Sequence, residues 1–467
     1  MRFAPDVVVD LTPLPDERVG ALPFTELLWG LLRRGFEPDA SRRLLEDANA
    51  RLKRPLLRPG AVEDGGPLVD DGVLFPAPGP WWWVLQQGES RWSTRLEPEA
   101  VPFVADFLRA VARADTLDEV RAAWPFDAED FEDALFLATP PEAPWPEPSG
   151  PGLYRREHAS LLVCSRTTSV LVDPIPLQRR LRHIGSVPGN LAPEALGAVA
   201  ITHGHVDHWH VPSLLAHLPR RDTPVFVPRV PRVNLLTPQD FSHVLEACGQ
   251  AVQAPAWGES RRVGDLRVDV LPFHGEQPAP DGPPLPEGLR SWGSCYRFDT
   301  GDFSCLVLVD AGDDPAGRMA EVVARSRKAH GPVDVVLACQ REFLAPFFGG
   351  LSHYWASLPW ERLRGLYEDH QAGRLRSSTA GPKGVADLCA LAGARYFLPY
   401  ANGFEGVGRP ITDVGWGDGE PSEAVCNAQV REQLARRGAT TEVLDWKPGD
   451  VARFERGRLV LERGPER

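Results

Sequence analysis

A chain of 467 residues is too long for one ordinary hydrophobic core, so two or three domains are expected. Hydrophobic and charged fractions of 43% and 25% fit a folded globular protein. A formal charge of −13 without a basic stripe argues against a nucleic-acid partner, and no apolar run has the length of a membrane span or the layout of a secretion signal.

In chain order, FTELLWGLLRRG (24–35) has apolar residues at helical spacing and stops on Gly35. SRRLLEDANARL (41–52) reads as a second helix capped by Ser41. GVLFPA, WWWVLQQG and RWSTRLE read as strands, the last two forming a hairpin in which alternation buries at least one of Trp81, Trp82 and Trp83. Three helices follow, PEAVPFVADFLRAVA, TLDEVRAAW and AEDFEDALFLA, with Thr116 and Glu119 as a capping box. Residues 139–152 carry six prolines in fourteen positions and read as a stiff linker. The expected organisation is an N-terminal α+β domain over 1–138, that linker, and a catalytic domain over 153–467.

Beyond the linker, short apolar strands alternate with helices: HASLLVCSR, SVLVDP, GAVAIT, LRVDVLPFHG, CYRFDT, FSCLVLVDAG, VDVVLACQ and RYFLPYANG. Many neighbours are hairpin-like, which fits an αββα sandwich of the α/β class. The tail closes as strands around a Lys-Pro-Gly-Asp turn at 447–450. The aromatic stretch 338–363, with His353 and Tyr354, is either a satellite core or a wall of the active site.

The chemistry concentrates in THGHVDHWH, residues 202–210. His203 and His205 follow a buried strand at i and i+2, so in extended chain both side chains face one metal position. Asp207 and His208 come next, as the chain turns toward a second position. LVLVDAG ends a buried strand on Asp310, where a lone carboxylate is costly unless paired or metal-bound, and from which it can bridge two ions. LPFHGEQP offers His274 or Glu276. His210 reads as a surface or supporting residue, and Asp173 as a group that orients the ligand loop; His158 is a further strand-end polar residue. Seven scattered cysteines, Cys164, Cys248, Cys295, Cys305, Cys339, Cys389 and Cys426, never pair as C-x-x-C, which fits a reduced cytoplasmic protein and leaves thiolate out of the site. Abundant Gly and Pro with little Met fit a GC-rich bacterial coding bias.

The HxHxDH segment, SVLVDP upstream of it and Asp310 after it resemble the metallo-β-lactamase superfamily over about residues 152–460. The resemblance implies a dinuclear metal enzyme, commonly a dizinc hydrolase with a histidine on the second metal after the last strand. Here that strand ends LPYANGF, and none of the twelve histidines lies beyond His370. Together with a glutamate in the third segment, this departure is similar to the superfamily's diiron oxygenase branch, which includes the chloramphenicol-pathway arylalanine β-hydroxylase. Carried over, Glu276 joins His203 and His205 on the first iron, Asp207 and His208 hold the second, and Asp310 bridges; Glu276 and Asp310 are then the catalytic carboxylates. An oxygen-rich set suits iron better than zinc. The implied function is O2-dependent hydroxylation of an amino-acid, peptide or carrier-bound substrate in a biosynthetic pathway, with a separate reductase and a possible homodimer. The alternative is a dizinc hydrolase of an ester, lactone, amide or phosphodiester, with His274 as ligand and Glu276 behind it. Residues 68–138 resemble, in pattern alone, the winged-helix modules related to PqqD, which implies peptide or carrier recognition.

Overall fold

The computed structural model describes residues 1–4, 7–13, 24–50, 57–69, 80–87, 90–127, 131–137, 148–156, 158–174, 193, 195–205, 207–233, 240–344, 347, 355–402 and 422–464. Its strands form two large sheets. The first has eight strands, in the order Val252–Gln253, Val225–Phe226, Leu196–Ala200, Ser169–Val172, Leu161–Cys164, Gly152–Arg155, Val451–Glu455 and Arg458–Glu462. The second has seven, in the order Ser260–Val263, Leu266–Pro272, Ser294–Asp299, Ser304–Val309, Val335–Ala338, Tyr396–Pro399 and Glu442–Val443.

Strand periodicity explains how the sheets stack. Leu161, Val163, Ala198 and Ala200 point inward and share a core with Val268, Val270, Phe298 and Val307 of the second sheet. The intervening Leu162, Cys164, Val199 and Ile201 point outward and pack under the helices Val211–His217 and Phe241–Ala247. Helices Met319–His330, Gly381–Ala392 and Glu423–Arg436 cover the other sheet. The architecture is the expected αββα sandwich. Among the described residues no helix is long and apolar enough to cross a membrane.

The N-terminal part adds a three-stranded antiparallel sheet, Val7–Pro13, Trp81–Gln87 and Ser90–Leu96, with the tryptophan strand in the middle. Trp81 and Trp83 are buried and Trp82 is half-buried, as alternation requires. This sheet and helix Val101–Val111 join the core beneath Val211–His217, while helices Phe24–Arg33 and Pro38–Ala50 pack with Trp355, Trp360 and Leu363 in a third cluster. The described part of the aromatic stretch 338–363 thus contributes to a satellite core; His353 and Tyr354 lie outside the described residues, as do all of GVLFPA and most of the proline-rich linker.

Several expectations need correction. The second helix begins at Pro38, not Ser41, because proline suits the first turn and the Glu37 carboxylate accepts from the Asp39 and Ala40 amides at 3.2 and 2.7 Å. Where described, AEDFEDALFLA keeps only one 3-10 turn, Asp133–Leu135; Phe136–Leu137 is a strand paired with Arg2–Phe3, a tertiary pairing that overrides the local helical pattern. The Lys447–Asp450 turn does not close a hairpin, because Glu442–Val443 and Val451–Glu455 belong to different sheets; the hairpin is Val451–Glu455 with Arg458–Glu462.

Candidate metal centre

Strand Leu196–Ala200 delivers the chain into the gap between the sheets, where the extended segment continues through Thr202 and His203. Two contacts from the second sheet hold it there. Ser294 N donates to Thr202 O at 2.7 Å, and the Tyr296 hydroxyl donates to Ile201 O at 2.6 Å. The His203 ring stacks on Phe273 with 5.4 Å between centroids. After His205 the chain turns, with the His208 and Trp209 amides donating to His205 O, which brings Asp207 and His208 back over the same gap.

Glu276 arrives from the loop after Leu266–Pro272 and Asp310 from the end of Ser304–Val309. The groups converge closely. Glu276 Oε2 lies 3.1 Å from His203 Nε2 and 2.9 Å from His205 Nδ1. Asp310 Oδ2 lies 3.1 Å from His208 Nε2 and 3.8 Å from His203 Nε2, so it reaches both halves of the cluster. Asp207 Oδ2 lies 3.8 Å from His208 Nε2. Neighbouring donors of one ion with bonds near 2.1 Å are separated by about 3 Å, the spacing found here.

The polar satisfaction of these atoms decides what they are for. His203 Nε2, His208 Nε2, Glu276 Oε2 and Asp310 Oδ1 are all buried, and none has a partner in hydrogen-bonding geometry. Leaving four such atoms dry costs about 1–3 kcal/mol each, more for charged groups, unless a cation sits among them. The donors fall into the sets His203–His205–Glu276 and His203–His208–Asp310, with His158–Asp207–His208 beside them. The residues present therefore fit a dinuclear metal site.

Electrostatics point the same way. Burial, the largest influence, pushes the His203 imidazole below its ordinary range, and the nearby His208 and His205 push it further. Burial also opposes charge on Glu276, but His205 and His203 outweigh it and bring the carboxyl down to about 2. Asp207 is held well below the usual carboxylate range in the same manner, by His208 and His158 against burial. Against burial, Glu276 raises His205, and Asp207, Asp173 and Asp310 lift His208 well above the ordinary imidazole range. The buried carboxylates thus draw positive charge onto these two rings, a charge that a bound cation would supply in place of the protons.

Asp173 sits behind the cluster, 1% exposed. It accepts from Thr202 N at 2.8 Å and Thr202 Oγ1 at 2.6 Å, and lies 2.9 Å from His208 Nδ1, so the His208 Nε2 lone pair is aimed at Asp310. His274 is not in the cluster. Its Nδ1 lies 3.3 Å from Asp314 Oδ2, and Arg290 donates to the same oxygen at 2.7 Å. His210 is buried, with Nδ1 at 2.7 Å from Ser213 Oγ and Nε2 at 3.0 Å from Val9 O, which ties the metal segment to the N-terminal sheet. That contact had no signal in the sequence.

Residues 168–292 match the family model described as a β-lactamase superfamily domain. Over 95% of the chain, the fold is similar to a crystal structure of CmlA, a diiron β-hydroxylase from Streptomyces venezuelae, with 16% identity, 97% of that chain covered and a TM-score of 0.55. The chain carries a metallo-β-lactamase-fold domain. A mutant of the CmlA β-hydroxylase gives 16% identity, coverage of 95% and 98%, and a TM-score of 0.53. An isothiocyanate hydrolase from Delia radicum gut bacteria gives 12% identity over 65% of this chain and 98% of that one, with a TM-score of 0.41. A search of curated proteins finds no match. The CmlA likeness is one of fold, and unlike the family model it takes in the N-terminal part together with the metallo-β-lactamase-fold domain.

The loop that presents Glu276 depends on one glycine. Gly275 has φ +97°, and a Cβ there would lie 2.4 Å from Gly312 N and 2.5 Å from Ser378 O. Gly275→Ala is therefore expected to displace Glu276, destabilise the fold by about 2–4 kcal/mol, and weaken first-site metal binding in an equilibrium titration. Wild-type affinity in this variant would show that the loop is not what places the carboxylate.

Proposed function

We propose that this protein is a diiron, O2-dependent hydroxylase acting on an amino-acid or peptide-like substrate, free or attached to a carrier. The observation that carries this reading is the His203–His205–Glu276 set, two imidazoles and one carboxylate within ligand distance of one another. That donor set leaves coordination positions open and is the pattern of non-haem iron(II) oxygenases, whereas a third imidazole would favour zinc. His274, which would supply that imidazole, is engaged by Asp314 and Arg290 instead.

Two irons held by His203, His205, Glu276, Asp207, His208 and Asp310 would supply the redox chemistry that reduces O2. The balance requires one substrate C–H, one O2, two electrons and two protons, giving the alcohol and water; a separate reductase supplies the electrons. The protein's own residues do the positioning. Asp173 fixes the His208 ring, Thr202 Oγ1 at 3.0 Å from His203 Nδ1 fixes the other, and burial of Glu276 and Asp310 at 2% and 3% keeps bulk water from both carboxylates.

The second reading is a dizinc hydrolase, favoured by a carboxylate that spans two metal positions, an arrangement that also serves hydrolytic centres. One experiment separates them. Protein grown without added metal is analysed for metal content and assayed for substrate-dependent O2 uptake with a chemical reductant. About two irons per chain with O2 consumption are expected. Zinc in their place, with turnover that persists without oxygen, would overturn the oxygenase.

A further inference from the structure

The HGHVDH segment, Glu276 and Asp310 leave the two metal positions unequal. The first has two imidazoles and a carboxylate of its own; the second has His208, Asp207 and the shared Asp310. His158 removes the inequality. It lies in the turn between strands Gly152–Arg155 and Leu161–Cys164, 45 residues before His203 in sequence and 4% exposed. Its Nε2 is 3.0 Å from Asp207 Oδ2, and its ring meets His208 edge-on with centroids 5.0 Å apart. Donor atoms of His158, Asp207 and His208 all lie within 4.8 Å of one another.

We propose that His158 is a ligand of the second metal position, so that each ion is held by two imidazoles, one private carboxylate and the shared Asp310. This rests on the reading of the site as a dinuclear centre but not on which metal fills it. Two further observations support it. His158 has φ +48°, a left-handed conformation that costs a non-glycine residue about 1–2 kcal/mol. The same excursion recurs at Asp173, at Glu276 and at Val309 beside Asp310, three other positions in or beside the centre. The turn is also braced from the opposite sheet, since the Tyr400 hydroxyl, just past strand Tyr396–Pro399, donates to Ala159 O, while Arg156 N closes the turn on Ser160 O at 3.0 Å.

The competing role for His158 is a hydrogen-bond donor that orients Asp207 and never touches metal. His158→Gln separates the two, because the amide keeps an N–H donor at similar reach but is a weak ligand; His158→Ala removes both functions. Full-length protein and both variants are loaded without oxygen with iron(II) or, separately, zinc(II), and bound metal is measured by elemental analysis and titration. The unaltered chain is expected to hold about two ions and each variant about one, the second ion binding at least about 100-fold more weakly. In the iron-loaded variants the magnetic coupling of the pair disappears, and imidazole added to His158→Ala restores the second ion. Circular dichroism checks that the fold is kept. A Gln variant that binds two ions with unchanged affinity overturns the ligand role. If the unaltered chain prefers two zincs and drops to one on substitution, the oxygenase reading fails and this inference stands; two irons before and after would do the reverse.

Discussion

Asp310→Ala is expected to weaken both metal positions together. Asp310 Oδ2 reaches His208 Nε2 at 3.1 Å and His203 Nε2 at 3.8 Å, and among the described residues it is the carboxylate that the two halves of the cluster share. Removing it takes one ligand and one negative charge from each position in an interior where the side chain is 4% exposed, so neither loss is made good by water. Metal content should fall below about one ion per chain, and turnover on the order of 10⁴-fold, as when members of one catalytic unit are removed. Asp310→Asn keeps an oxygen donor without the charge and should fall between. Elemental analysis and steady-state assay of the three proteins check this; an Ala variant with two tightly held ions would exclude a bridging role.

The second large effect is expected from Asp173, which touches no metal position. Its carboxylate takes three hydrogen bonds, two from Thr202 and one from His208 Nδ1, and it does so at φ +40°. Asp173→Asn puts an amide donor against Thr202 Oγ1 and His208 Nδ1, which frees His208 to turn its other tautomer toward the site. Charge-assisted hydrogen bonds are worth about 1.5–3 kcal/mol each, so a loss of about 3 kcal/mol in stability is a moderate expectation. Metal affinity should fall about 10–100-fold, as it does when a group that orients a histidine ligand is removed. Thermal unfolding with and without metal separates the two losses. Equal shifts in both conditions would mean that Asp173 serves the fold alone.

Much of this centre was legible in the sequence because it is local. His203, His205, Asp207 and His208 lie within one short segment after a buried strand, where spacing alone aims the side chains. Asp310 and Glu276 were legible as carboxylates at the ends of apolar strands, though only geometry sets Glu276 against His274. The bracing of the His158 turn by Tyr400 was not legible. The hydrogen bond from Tyr400 to Ala159 O joins opposite sheets across 241 residues, and no spacing rule covers such a distance. His210 was opaque for the same reason, since its partner is a backbone carbonyl in the N-terminal sheet. The helical pattern of AEDFEDALFLA failed where a strand at the N-terminus supplied the better partner.

The pairing of Gly152–Arg155 with Val451–Glu455 has a consequence for biogenesis. The edges meet across 299 residues of chain, as the contact between Arg453 and Tyr154 shows. At ribosomal rates of about 5–20 residues per second, one edge of the first sheet stays open for roughly 15–60 s after it is made. During that time the strand behind His158 is an unpaired template for misassociation, and the turn it supports lacks its bracing from Tyr400. The histidine segment is complete long before the scaffold that aims it, so early metal capture would meet a floppy, partial ligand set. Productive loading belongs after the hairpin over 451–462 has sealed the sheet.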